Sequence, residues 1–191
     1  MDRCFIIKLV ISFLLVLSYF LLPKYGFTSF NYNLSTLTNN LLYPISHANI
    51  FHLAGNILCL WMLRCPLHIV ATYLIAVICS FLPCPTLSSL LFPLSSLLSL
   101  PLSSEPEATY GFSGVLFAIV GISWGRARRF RDMLWRNKWI LIIPSFIPHI
   151  NFLIHLYCLL AGYAYGRLII AAKPSGVRQS HGRKTFVLRN S

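Results

Sequence analysis

Ser113 sits in the tetrapeptide Gly111-Phe112-Ser113-Gly114 at the head of one apolar run, and His155 sits near the head of another. A serine within hydrogen-bond reach of a histidine forms a nucleophile and general-base pair. Glycines beside a serine allow a tight turn that presents its hydroxyl at a helix start. The N–H groups of a helix start stabilise a developing anion. His52 and Asn56 lie four apart in a third apolar run. They share a helix face and offer side-chain donors for an oxyanion hole. His47 precedes His52 by five residues, about 140° around a helix, which is poor spacing for shared metal ligation. No carboxylate is expected at that depth, so neither a metal nor a cofactor is expected. Asp2 and Asp132 fall on the opposite side, and Glu105 and Glu107 fall in a loop. The chemistry therefore reduces to a Ser–His dyad. Each residue also has a plainer use. A serine in G-x-S-G can cap a helix, and His52 and Asn56 can cap helices or bond between them.

The elements that must carry these residues are set by composition. Of 191 residues, 57% are hydrophobic and 10% charged, against about 25% charged in soluble chains. Mean hydropathy is +0.70. These values exclude an ordinary soluble domain, a disordered region and a coiled coil, and leave an all-α polytopic membrane protein. Intramembrane polar groups are costly, so those that occur are functional candidates. The net charge of +12, from 16 Lys+Arg against 4 Asp+Glu, would suggest nucleic-acid binding in a soluble chain. In this chain it reports orientation across the bilayer, and no nucleic-acid partner is expected. The six cysteines show no paired spacing and read as small buried hydrophobes rather than a disulfide framework.

The apolar runs are Cys4–Leu22, Ile50–Leu63, Pro66–Leu82, Phe112–Trp124, and Trp139–Ala172, which Pro144, Pro148 and Asn151 divide into two. Six spans follow, with residues 1–172 as the membrane domain and 173–191 as a basic cytoplasmic tail. Residues 23–48 read as a polar, turn-rich loop. Residues 86–110 carry Pro93, Pro101 and Pro106 and read as a partly embedded loop rather than an extra span. Six basic residues between Arg126 and Lys138 and the cluster from Arg167 onward both belong in the cytoplasm. With six spans, both termini and Arg64 are then inside, and only Lys24 of the basic residues lies outside.

Spans two, four and six all run from outside to inside in this topology, and each carries polar groups near its outer end. Span four has Gly114, Ala118, Gly121 and Gly125 on one stripe, and span six has Cys158, Gly162 and Gly166. Small-residue stripes let helix backbones approach closely. His155, seven residues before Gly162, would be carried toward Ser113.

The pattern resembles the rhomboid intramembrane serine proteases. The matching residues are His47-x4-His52-Leu53-x2-Asn56, then Gly111-Phe112-Ser113-Gly114, then His155 with Gly162 seven residues on. They fall in order on spans two, four and six, over roughly residues 40–172. The resemblance implies a six-helix rhomboid-like bundle of the minimal form, with Ser113 as nucleophile and His155 as general base. It implies His52 and Asn56 in the oxyanion hole, together with the Ser113 N–H. It gives His47 a structural role, Phe117 a place packing on the catalytic histidine, and Gly162 a place at the contact with span four. The implied partners are the lipid bilayer and single-span membrane proteins, cut near the outer end after a small residue. The implied location is a bacterial plasma membrane. The chain departs from the family at Cys158, where glycine is common, and lacks the usual Trp-Arg pair of the first loop. The alternative is a catalytically inactive rhomboid-like protein that binds transmembrane clients. No signal bears on oligomeric state.

Overall fold

Each apolar run becomes a helix whose ends are set by local chemistry. The computed structural model describes residues 2–26, 34–63, 65–66, 68–82, 108–127 and 152–172. In chain order the elements are α1 (Arg3–Leu21), α2 (Leu34–Leu42), a 3-10 turn (Tyr43–Ile45), α3 (Ile50–Met62), α4 (Ile69–Ser80), α5 (Ser113–Arg126) and α6 (Phe152–Ala171). The first, second, third, fourth and sixth expected spans are α1, α3, α4, α5 and α6. The expected fifth span, segment 86–104, Glu105, Glu107, Arg64, the basic residues 128–138 and the tail 173–191 lie outside the described residues.

The Asp2 carboxylate accepts from Cys4 N at 3.2 Å and starts α1. Asn49 does the same for α3, accepting from His52 N at 2.9 Å. Arg126 in the last turn of α5 suits the negative end of that helix. Its Nη1 lies 3.4 Å from His68 Nε2 at the start of α4.

One expectation fails in the first loop. Residues 23–48 are not all loop, because α2 and the 3-10 turn lie within them. Leu34, Leu37 and Leu41 recur at helical spacing, but Asn39 and Asn40 are weak helix formers and mask the period. The Tyr73 hydroxyl of α4 donates to Leu41 C=O, docking the end of α2.

A second expectation fails at the cysteines. Cys4 and Cys65 form a disulfide across a separation of 61 residues. Packing of α1 on α3 brings them together, and no local spacing signals it. Around that bond Phe5 meets Trp61 edge to face at 5.3 Å. Trp61 Nε1 donates to Ser12 Oγ at 3.1 Å. Lys8 Nζ donates to Trp61 C=O and Leu63 C=O, which are left open at the end of α3. Among the described residues, Cys59, Cys79 and Cys158 form no disulfide, and the last two are buried as expected.

α5 is the central helix, with Gly114 to Ile122 all buried. A helix apolar all round belongs in the interior of a bundle. α1 and α6 are long and apolar enough to cross a membrane, while α3, α4 and α5 are shorter apolar helices. The 14 residues of α5 make a helix of about 21 Å.

α5 and α6 run parallel, backbone against backbone. A Cβ added at Gly162 would press on the Ala118 carbonyl oxygen and lie 3.0 Å from Ala118 Cα. One added at Gly166 would lie 2.6 Å from Ile122 O, and one at Gly121 would lie 2.8 Å from Tyr163 N. This register carries upward to Gly114, whose added Cβ would lie 3.3 Å from Cys158 Sγ. Ser113 is the first residue of α5 and His155 is three residues into α6. The two therefore meet about one turn below the start of α6.

Because backbone cannot yield as a flexible side chain can, even Gly162→Ala should be harmful. Overpacking costs about 1–3 kcal/mol, so thermal stability in detergent should fall, and with it any function that depends on the α5–α6 register. Gly55→Ala is the control, since none of the described residues lies within 4 Å of its added Cβ. Scanning fluorimetry of the two variants checks this: equal melting temperatures would contradict the packing account.

Candidate active site

The site is built where the start of α5 is gripped from three sides. Gly111 has φ +106°, a left-handed conformation that favours glycine. This bend turns the chain sharply into α5, so that Ser113 occupies its first position. Gly111 N–H donates to Tyr43 C=O at 3.0 Å. The next amide, Phe112 N–H, points at His47 Nε2 in a long contact of 3.5 Å.

From α6, His155 Nε2 lies 2.7 Å from Ser113 Oγ. The imidazole is buried, with 3% of its surface exposed. Phe117, one turn after Ser113, stacks flat on it with ring centroids 4.4 Å apart and planes 4° from parallel. The stack holds the imidazole in one plane, with its Nε2 edge toward the serine.

From α3, His52 and Asn56 close the third side. A Cβ on Gly111 would lie 2.7 Å from His52 Nε2 and 3.1 Å from Asn56 Nδ2. Glycine is therefore favoured at position 111 by φ, and a larger residue would also displace the His52 ring. Asn56 is 5% exposed, and its Nδ2 has no hydrogen-bond partner among the described residues. An unsatisfied buried amide costs about 1–3 kcal/mol. Such a donor, aimed at the serine turn, suits an acceptor that arrives only with a ligand or a reacting group. A serine, a histidine and convergent donors at a helix start are the parts of an acyl-transfer site.

The family model for the Rhomboid domain matches residues 34–172, most of the chain. The chain belongs to the rhomboid family. No curated protein and no solved structure matches it. Rhomboids are helical membrane bundles and are generally intramembrane serine proteases, so this one is an integral membrane protein with a protease-like fold.

Ser113, His155, Phe117, Gly111, His52, Asn56 and His47 gather at the start of α5 in this rhomboid. Ser113, His155 and Phe117 form one contact chain, and His52, Asn56 and Gly111 form another. His47 meets the His52 ring edge to face at 5.4 Å. Gly114 and Gly162 lie along the α5–α6 contact. Two residues went unremarked in the sequence. Asn49 just before an apolar run is a legible N-cap signal. Tyr43, beside Pro44 in a polar stretch, carries no such signal.

His47 lies before α3 and is 1% exposed. Burial, reinforced by the neighbouring His52 and opposed by the Ile45 backbone, lowers its pKa from 6.5 to about 4. It is therefore neutral at neutral pH and able to accept from Phe112 N–H. The unfolded chain binds this proton first as pH falls. The stabilisation is complete above pH 6.5 and is lost as pH drops from there to about 4, by roughly 3 kcal/mol in all. Melting temperatures measured between pH 7 and pH 4 should fall less steeply in His47→Gln than in the wild type. Identical slopes would contradict this reading of His47.

Proposed function

We propose that this rhomboid is an active intramembrane serine endopeptidase that cuts single-span membrane proteins near the non-cytoplasmic face of the bilayer. The observation that carries the reading is the 2.7 Å approach of His155 Nε2 to Ser113 Oγ. In the first step His155 Nε2 takes the hydroxyl proton as Ser113 Oγ bonds to the scissile carbonyl carbon. The carbonyl electron pair moves to oxygen, and the oxyanion is met by the Ser113 N–H, His52 and Asn56 Nδ2. Collapse breaks the C–N bond, and His155 delivers its proton to the leaving amine. Water, deprotonated by His155, then attacks the acyl ester, and the returning proton restores Ser113.

The same reading sets orientation and substrate. Charge asymmetry supports both termini on the cytoplasmic side, with Ser113 about one turn below the opposite face; the Cys4–Cys65 bond, at the cytoplasmic end in this orientation, is a feature that runs against it. An intact helix shields its carbonyls in hydrogen bonds, so a substrate span must unwind to be cut. Gly and Pro lower that cost, and a small residue at the cut eases approach to Ser113.

A pair of single-span reporters tests this. One carries Gly and Ala in the outer quarter of its span, and the other is all Leu there. The first should be cut faster, and neither should be cut by Ser113→Ala. Cleavage that persists in Ser113→Ala would overturn the serine-protease reading. Equal Ser113-dependent rates would overturn the unwinding argument alone.

A further inference from the structure

Tyr43 takes no part in the chemistry above, yet it is among the most completely buried side chains, with 1% exposed. Its main-chain carbonyl accepts Gly111 N–H at 3.0 Å, at the bend that leads into Ser113. Its hydroxyl reaches the other way and donates to Ala76 C=O of α4 at 3.0 Å. The same hydroxyl would lie 2.9 Å from a Cβ added at Gly114, the residue after the serine. Tyr43 is thus a strut. One end is fixed to a helix carbonyl of α4, and the other holds the amide two residues before Ser113. His47, four residues further on, faces the amide between them. With the first two N–H groups of the turn occupied in this way, the third, Ser113 N–H, is left to face the reacting oxygen.

We propose that Tyr43 is a positioning residue whose hydroxyl sets the height of the nucleophile turn against α4, and so the alignment of Ser113 Oγ with His155 and the oxyanion donors. The inference rests on the protease reading and deepens it. Small misplacements of reacting groups cost large factors in rate. Tyr43→Phe removes only the hydroxyl. It should slow modification of Ser113 by a fluorophosphonate by about tenfold, the scale of one lost hydrogen bond. With a transmembrane reporter it should lower kcat and leave KM unchanged, because no substrate contact is removed.

Gly114→Ala presses on the same hydroxyl from the opposite side. It should slow labelling in the wild type and do less harm in Tyr43→Phe, where the hydroxyl is gone. The experiment is fluorophosphonate labelling of the full chain in detergent for the wild type, the two single variants and the double variant, each with its melting temperature. Tenfold slower labelling in Tyr43→Phe, and a smaller Gly114→Ala effect in that background, are the expected results. Wild-type rates in Tyr43→Phe, or Gly114→Ala effects that are equal in both backgrounds, overturn the proposal while leaving the protease reading intact. If Tyr43→Phe does not fold, Gly114→Ala alone decides, and labelling at the wild-type rate in that variant overturns the proposal. Absence of any Ser113-dependent labelling in the wild type overturns the protease reading and the proposal with it.

Discussion

Ser113→Ala and His155→Ala should each reduce cleavage of a transmembrane reporter to background, a loss on the order of 10⁴–10⁶-fold. The expectation comes from their direct contact at 2.7 Å. Without the hydroxyl there is no nucleophile. Without the imidazole the hydroxyl keeps its proton at neutral pH and stays unreactive. Because the two act as one unit, the double variant should be no slower than either single one. Both proteins should still insert and fold, since neither change touches the Gly162–Ala118 contact that holds α5 to α6. His155→Ala also leaves Phe117 without its stacking partner, so a small drop in melting temperature is expected there and none in Ser113→Ala. Initial rates from purified protein check all three variants. A multiplicative loss in the double variant would mean that serine and histidine act separately.

Asn56→Ala should cost about 10²–10³ in cleavage rate, the usual loss for one oxyanion donor. His52 and the Ser113 N–H remain, so the lower end of that range is expected. The same change should leave stability level or raise it. Asn56 Nδ2 is buried without a partner among the described residues, and removing an unsatisfied donor relieves a desolvation cost. This pairing separates the oxyanion role from the plainer one. An asparagine that merely bonds between helices would lose stability on truncation and lose activity only through unfolding. His52→Ala should resemble Asn56→Ala in rate, while His47→Ala should act mainly through stability, because its neighbour is the Phe112 backbone. A stable but inactive His47→Ala beside an active His52→Ala would reverse the two assignments. Rates and melting temperatures on the same preparations decide the matter.

Much of this arrangement was legible in the sequence for simple physical reasons. Apolar runs bounded by Pro23, Arg64 and Pro83 mark where helices can cross and where they must stop. The small residues of α5 and α6 repeat every three or four positions, so their shared face and close approach follow from helix geometry. That register alone carries His155 to Ser113. What could not be read depends on contacts between distant segments. Nothing near Cys4 or Cys65 announces their bond, which exists because α1 lies along α3. α2 is hidden because its leucines compete with Asn39 and Asn40 in a segment that otherwise reads as loop. Tyr43 matters through a main-chain carbonyl that meets the turn before α5 and a hydroxyl that meets α4, and no local pattern encodes that. The left-handed bend at Gly111 lies between these cases. The glycine was visible, but its crowding against His52 and Asn56 appears only once α3 is packed in place.

The reactivity of one hydroxyl, that of Ser113, decides whether this rhomboid is a protease. The most direct measurement is intact and peptide mass spectrometry of the purified chain after reaction with a fluorophosphonate, comparing wild type, Ser113→Ala and His155→Ala. A single phosphonyl adduct is expected on Ser113 of the wild type, with none on Ser113→Ala and a greatly slowed reaction in His155→Ala. An unreactive wild type, or an adduct formed equally well without Ser113 or without His155, would contradict the Ser–His dyad.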